Sequence, residues 1–587
     1  MQTSKGEIHA HTAPGIYDLF PAYPVQEGQI QSGFDAIADV IGTAIQRGLR
    51  HIAIDGFGGV LWQVFQGGLD DALRRRWGAH QITWRDTSAC FLSESALMAH
   101  IAPNLGGDDP IFGKLHDGDI TGFFDPDKLQ ALDRTPSDNP RIIFGVGAAL
   151  IGTPDMLIYV DVPKDEIQNR MQAKIITNLG GAEPSDARTM YKRFYFVDWP
   201  ALNRHKARLI PAVDWFVDAQ RAESPSIIAG DQLRTALGHM AHTCFRARPW
   251  FAPGPWGGQW MKAHFPGLDR QAPNYAWSFE LIVPENGLVL ESGDQRLECS
   301  FDLLMFLNHQ DVLGRAAGWF GYNFPIRFDY LDTFDGSDLS VQCHPRPEYI
   351  RQQFGEPFTQ DESYYITTCK PGAQVNLGFR DGVDPAAFRR EVEHSEREGV
   401  PIDIDRFVNR VEAHPHDLFL IPNGTIHGSG VNNLVLEISA TPYIYTFKIY
   451  DWMRRDLEGK LRPLNIERAW DNLYFERQET YVREQLCPRP TTLREGDGWR
   501  EVFVGTHDAI FYAVHRYEFT RNIAAQTQGR CHILNVVEGD AVIVETASGY
   551  QAQFNYAETF IVPAAAESYR LIAVGTRPCK VVMAFVK

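Results

Sequence analysis

The chain is short of positive charge: across 587 residues, 56 Lys and Arg face 74 Asp and Glu, for a formal net charge of −18. That deficit excludes a general binder of nucleic acid or of anionic membrane, because the summed field repels phosphate. Long apolar runs are missing too. No stretch approaches the ~18 residues of a membrane span, and the N-terminus has no charged-then-apolar leader. Cysteine is sparse. Its eight residues, at 90, 244, 299, 343, 369, 487, 531 and 579, form no CxxC pair. In a chain of this length they read as reduced thiols, and the expectation is a cytoplasmic protein. What the chain does have is 44% hydrophobic and 12% aromatic residues, the composition of packed globular domains. At roughly 150 residues per domain the length suggests three or four of them.

From about residue 50 to 200 strands alternate with helices. Arg50–Asp55, Ile82–Arg85, Arg141–Gly147 and Met156–Val162 read as strands, and helices follow from Val60 to about Arg76 and from Pro163. This alternation implies a parallel sheet with crossover helices. A phosphate-binding loop needs G-x-x-x-x-G-K-S/T, so that backbone amides and a lysine cradle phosphate and a hydroxyl holds magnesium. The turn here is Asp55-Gly56-Phe57-Gly58-Gly59-Val60-Leu61-Trp62, with neither the lysine nor the hydroxyl. In outline the region resembles a nucleoside or uridine kinase, also in the step Val160-Asp161-Val162-Pro163. The resemblance implies a P-loop-kinase-like α/β domain over residues 1–205 whose loop has degenerated. Residues 206–250 read as a helical connector. Beyond about residue 270, short β runs separated by turn residues (Trp277–Val283, Leu418–Ile421, Leu434–Ile438, Ile533–Val537, Thr559–Val562) indicate β-barrel or jelly-roll domains. They are expected at 251–485, with a helical insertion at about 384–411, and at 486–587.

The segment Asp338-Leu339-Ser340-Val341-Gln342-Cys343-His344-Pro345 carries the most chemistry. Residues two apart on a strand share a face, so Gln342 and His344 can offer an amide oxygen and an imidazole to one ion, with Cys343 turned away into the core. Glu362 opens the next strand, and Ile421-Pro422-Asn423-Gly424-Thr425-Ile426-His427 places a second histidine after a Pro-x-Gly turn. Two histidines, a carboxylate and an amide oxygen suit one divalent cation, zinc above all. His414 and His416, flanking Pro415, are expected to be exposed.

These motifs, with Pro255-Trp256-Gly257-Gly258, Phe324-Pro325, Lys370-Pro371-Gly372-Ala373, Leu436-Glu437-Ile438 and Tyr450-Asp451-Trp452, resemble the class I mannose-6-phosphate isomerases, zinc-dependent cupin enzymes. The resemblance covers about residues 250–587. It implies Gln342, His344, Glu362 and His427 as metal ligands and a sugar or sugar phosphate as substrate, with a homo-oligomer compatible. It also implies that the C-terminal cupin-like copy, which lacks Gln-x-His, is structural. Three positions depart from the family pattern. Gln360 stands for a lysine, Lys448 for an arginine, and Asp329 for a lysine thought to meet the phosphate. Unit charges ~4 Å apart at an effective dielectric of ~20 interact by ~4 kcal/mol, so Asp329 opposes a phosphorylated substrate there unless Arg327, on the same face, pairs with it. The expectation is a metal-dependent aldose–ketose isomerase with Lys448 and Glu437 as its acid/base groups; as a structural alternative, Glu437 would simply pair with Lys448. The functional alternative is a non-catalytic metal- and sugar-binding regulatory protein. A second, kinase activity is disfavoured by the loop at Gly59.

Overall fold

The computed structural model describes residues 8–78, 82–107, 109–134, 139–283, 285–455, 459 and 461–587. The strand His51–Gly56 is buried at all six positions, as is Met156–Asp161, which requires a sheet covered on both faces. The sheet runs Thr83–Asp86, Arg141–Phe144, His51–Gly56, Met156–Asp161, Trp215–Asp218, all parallel, and is finished by Ser226–Ala229 and Ile30–Ser32 antiparallel. Strand alternation divides its core. Ile52 and Ile54 pack with the helices Phe34–Gln46 and Trp62–Trp77, whereas Ala53 joins the helix Gly230–Met240 on the other face. Two of these seven strands lie within the stretch expected to be a helical connector. Each is only four residues long, too short for its periodicity to stand out, and it is pairing that makes a strand of it. The loop after His51–Gly56 is closed from within. Phe57 is fully buried, and the Asp55 carboxylate takes the amides of Gly56, Gly147 and Ala149 together with His205 Nε2 at 2.8 Å.

The middle of the chain forms two facing antiparallel sheets. One has six strands, in the order Trp250–Ala252, Trp277–Leu281, Ile326–Asp332, Asn433–Ala440, Asp361–Cys369, Leu418–Ile421. The other has five, Val408–Glu412, Gln374–Phe379, His427–Ser429, Val341–Cys343, Phe447–Tyr450. The expected helical insertion is the helix Pro385–Glu398, capped by the Asp384 side chain and stopped at Gly399 with φ +67°. Its last expected residues belong instead to the strand Val408–Glu412.

The C-terminal region repeats the plan with sheets of six and five strands. The second of these includes Ile8–His9, parallel to Gln551–Asn555, so the first described strand completes a sheet of the C-terminal region. A buried cluster ties these segments together: Arg246 contacts Glu280 at 3.4 Å and Glu558 at 3.1 Å, and its guanidinium lies over the Tyr17 ring. Among the described residues no helix is long and apolar enough to cross a membrane.

Candidate metal centre

The register of the two middle sheets assembles the site. On the five-stranded sheet His427 pairs with Gln342, and Gln342 with Lys448. Directly paired residues project to one side, so these three form a row on the inner face. On the six-stranded sheet Asp329 pairs with Glu437 and Glu437 with Tyr364; one step along, Arg327 pairs with Ser439 and Ser439 with Glu362. Both rows face inward. His344 stands just past the end of Val341–Cys343, a strand shorter than the sequence pattern suggests.

Between the sheets His344, Glu362 and His427 converge, each at most 2% exposed. Their ligating atoms all lie within 4.8 Å of one another. His344 Nε2 is 2.9 Å from one Glu362 oxygen and His427 Nε2 is 3.2 Å from the other. The tautomers follow from the far side of each ring. His344 Nδ1 is 2.9 Å from the Tyr445 carbonyl and His427 Nδ1 is 2.9 Å from that of Thr425. A carbonyl only accepts, so each Nδ1 carries the proton, and in the neutral ring each Nε2 presents a lone pair. Lone pairs then face a carboxylate, and His344 Nε2 and Glu362 Oε2 have no hydrogen-bond partner. Convergent buried acceptors, these two of them without a donor, are what a divalent cation resolves, and this ligand set fits one. The Gln342 amide reaches the same point, with Nε2 3.4 Å from His427 Nε2 and Oε1 accepting from Ser340 Oγ at 3.0 Å.

Beside the triad lies an acidic wall. Burial, reinforced by the carboxylates of Glu362 and Asp329, holds Glu437 well above the usual carboxylate range. Asp329 is raised in the same way by burial and by Glu362. Glu362 stays ionised: against the cost of burial, the His344 and His427 imidazoles draw it well below the usual range. Of the three carboxylates only Glu437 keeps appreciable accessible surface. Two expected pairings are absent. Arg327 spends its guanidinium on the Val283 and Pro442 carbonyls rather than on Asp329. Glu437 makes no ion pair with Lys448, which lies on the opposing sheet, and interacts with Glu362 on its own sheet instead. Burial lowers Lys448 to about 8, with Arg462, Arg188 and Arg454 adding to the shift and Asp451 opposing it.

Tyr445 organises the remainder. Its carbonyl holds His344, and its amide donates to Gln360 Oε1 at 2.7 Å, while Gln360 Nε2 donates to Glu362 at 2.6 Å. Its hydroxyl donates to Glu356 at 2.8 Å, and Tyr195, from the N-terminal region, donates to the same oxygen at 2.9 Å. Tyr195 also stacks on Tyr443 with centroids 3.9 Å apart, and Phe112 on Tyr445 at 5.8 Å. The N-terminal region thus roofs the ligand cluster. Nothing in the sequence marks Tyr445, Tyr195 or Glu356; their roles arise from contacts between distant segments. Cys343 is buried with its thiol pushed up by burial. His414 is exposed, but His416 is not: its ring bridges Tyr365 and Glu538 at 2.9 and 3.0 Å, because the loop is pressed between the middle and C-terminal regions.

Residues 33–242 match the model of a family described as a domain of unknown function, DUF8485. Over 55% of this chain and 94% of its own length, the mannose-6-phosphate isomerase ManA of Bacillus subtilis (strain 168) is 24% identical across 329 residues. A probable mannose-6-phosphate isomerase, GmuF, of the same organism is 26% identical across 332 residues, with the same coverage. Among solved structures, the mannose 6-phosphate isomerase from Bacillus subtilis superposes with a TM-score of 0.47 at 19% identity, covering 58% of this chain and 99% of that one. Over that part of the chain the sequence is similar to mannose-6-phosphate isomerases. Together with the His–Glu–His cluster, these similarities support an enzymatic, isomerase-like function and a divalent-metal site.

Proposed function

We propose that the chain is a divalent-metal-dependent aldose–ketose isomerase of the mannose-6-phosphate isomerase type, with Gln342, His344, Glu362 and His427 as ligands and zinc as the metal. The observation that carries this reading is the convergence of His344, Glu362 and His427 between the sheets, with Glu437 raised by burial on the same wall as Glu362 and Lys448 on the other sheet. Interconverting aldose and ketose moves a proton between two carbons, which needs a group able to hold that proton next to the sugar; Glu437 is partly accessible, and burial favours its protonated form. Lys448, brought to about 8, meets negative charge developing on the sugar oxygens. A bound divalent ion supplies Lewis acidity toward those oxygens. With Asp329 where the resembling family carries a lysine and Arg327 spent on backbone carbonyls, the six-stranded wall offers phosphate no free cation among the described residues, which favours a neutral sugar or one whose phosphate lies away from that wall. Residues 1–205 are read as a non-catalytic kinase-like domain that covers the site, and the 486–587 copy as one without metal ligands.

Metal analysis of the purified protein, followed by an aldose and ketose panel with and without 6-phosphates in deuterated buffer, tests this. The expected result is close to one divalent ion per chain and exchange of the C2 proton with solvent. Efficient turnover of mannose 6-phosphate above all neutral sugars would overturn the charge argument. Sugar binding with no exchange for any aldose would overturn the isomerase reading in favour of a regulatory metal- and sugar-binding protein. That second reading has one observation behind it: Gln360, where the family carries a lysine, is spent holding Glu362 and Tyr445.

A further inference from the structure

The C-terminal pair of sheets encloses a cavity of about 920 Å³, near the upper end of the ~300–1,000 Å³ of small-molecule sites. Facing sheets ordinarily fill this space with interdigitating apolar side chains. Here the lining includes Glu501, His515, Tyr517, His532 and Tyr569, with Arg494 and Arg530 nearer the mouth. His515 Nδ1 is 2.9 Å from Glu501, and Arg494 pairs with that carboxylate's other oxygen. His515 therefore lines the cavity, and no hydrogen bond to its Nε2 is found among the described residues. Deeper in, His532 is 4% exposed and its Nδ1 meets the Tyr569 hydroxyl at 2.9 Å. Burial drives His532 to about 3, so it stays neutral. Phe585 gathers this set: the His515 and His532 rings lie 4.9 and 5.7 Å from it, and the Arg530 guanidinium lies 5.4 Å over its face.

Charge bookkeeping separates the cations. Arg494 is matched by Glu501 and Arg570 by Glu545. Arg530 meets only the Gln528 amide and the Phe585 ring, and among the described residues it has no carboxylate partner. A guanidinium without a counter-ion, at a cavity whose other charges pair off as Arg494–Glu501 and Arg570–Glu545 and whose remaining polar lining is imidazole, hydroxyl and amide, is complementary to a hydroxylated small molecule bearing one acidic group. We propose that the C-terminal sandwich is a second ligand site that binds a small anionic polyol, its acidic group on Arg530 and its hydroxyls on His515 and Tyr569. The site is separate from the metal centre and independent of the isomerase reading.

Equilibrium dialysis of the full-length, metal-loaded protein against mannose 6-phosphate, glucuronate and uncharged mannose tests this, repeated after chelator treatment. At least one of the two anions should bind after chelation, more tightly than mannose, and which one binds identifies phosphate or carboxylate as the acidic group. Arg530→Gln, at the cavity mouth, should weaken that binding about tenfold or more, and His515→Gln should weaken it severalfold, with bound metal unchanged in both. Absence of binding by both anions would overturn the proposal. So would binding that survives both substitutions, or binding abolished only by removing the metal.

Discussion

The two β sandwiches of this chain hold the same inventory, two histidines and a glutamate on inward faces, yet only one is a candidate metal centre. In the middle sandwich both Nδ1 atoms are occupied by backbone carbonyls, so both Nε2 atoms turn toward Glu362 and three acceptors converge. In the C-terminal sandwich His515 spends Nδ1 on Glu501 and His532 spends its own on Tyr569. The groups are satisfied in pairs, and the space between them stays open. Residue types therefore do not define a metal site; what defines it is which nitrogen the backbone claims first. Local charge follows the same division. Three carboxyl groups, Asp329, Glu362 and Glu437, share the inner wall of the middle sandwich, whereas the C-terminal cavity carries an unmatched arginine.

The largest effect should come from breaking convergence itself. His344→Ala is expected to abolish bound metal and turnover, read by elemental analysis and by C2 proton exchange, while Glu501→Gln, altering a member of the corresponding His–Glu set in the other sandwich, leaves both at the parent level. If the two substitutions acted alike, the contrast between the sandwiches would collapse. Next is the facing cation. Lys448→Met should retain metal and lower turnover by ~100-fold, and it should erase whichever limb of the pH–rate profile lies near the value of about 8 to which burial brings this lysine. A smaller loss is expected from Gln360→Leu, which removes the donor that orients Glu362; metal affinity should fall by ~10–100-fold, measured by competition with a chelator. Unchanged affinity would mean that Gln360 is a passive replacement for lysine.

These positions differ in how far the sequence exposes them. His344, Glu362 and His427 are legible because a strand's two-residue period and a Pro-x-Gly turn fix where their side chains go, whatever packs around them. Gln360 is visible only as a departure from a resembling family, and its work, bridging Tyr445 to Glu362, needs the fold to be seen. The inner walls are harder still. Asp329 and Glu437 lie 108 residues apart in the chain yet pair directly across two strands, and no local pattern foretells that register. The same limit hid the strands Trp215–Asp218 and Ser226–Ala229, four residues each, within an expected helical connector. It also hid the cavity around His515 and His532, whose histidines fall outside any recognised spacing. Side-chain alternation survives reading from one strand; partnership between strands does not.

The roof over the middle site provides the finest distinction between the sandwiches, because the C-terminal cavity has no counterpart to the Tyr195–Glu356–Tyr445 contact among the described residues. Burial raises Glu356 to about 7, with the two tyrosine hydroxyls pulling the other way. A carboxyl whose folded pKa lies above its unfolded value binds more protons in the folded state. Its contribution to stability is therefore greatest below the unfolded value, falls as pH rises toward about 7, and is level above that. At pH 8 the carboxylate is ionised and leans on both hydroxyls; at pH 5 it is protonated and needs them less. Tyr195→Phe should accordingly cost about 1–2 kcal/mol at pH 8 and about half that at pH 5, read from denaturant titrations at the two pH values, with metal content unchanged. Glu356→Gln should remove the difference between the two pH values, since an amide accepts from both tyrosines without titrating. A Tyr195→Phe cost independent of pH would mean that the N-terminal roof is held by ring stacking on Tyr443 alone and does not sense the charge on Glu356.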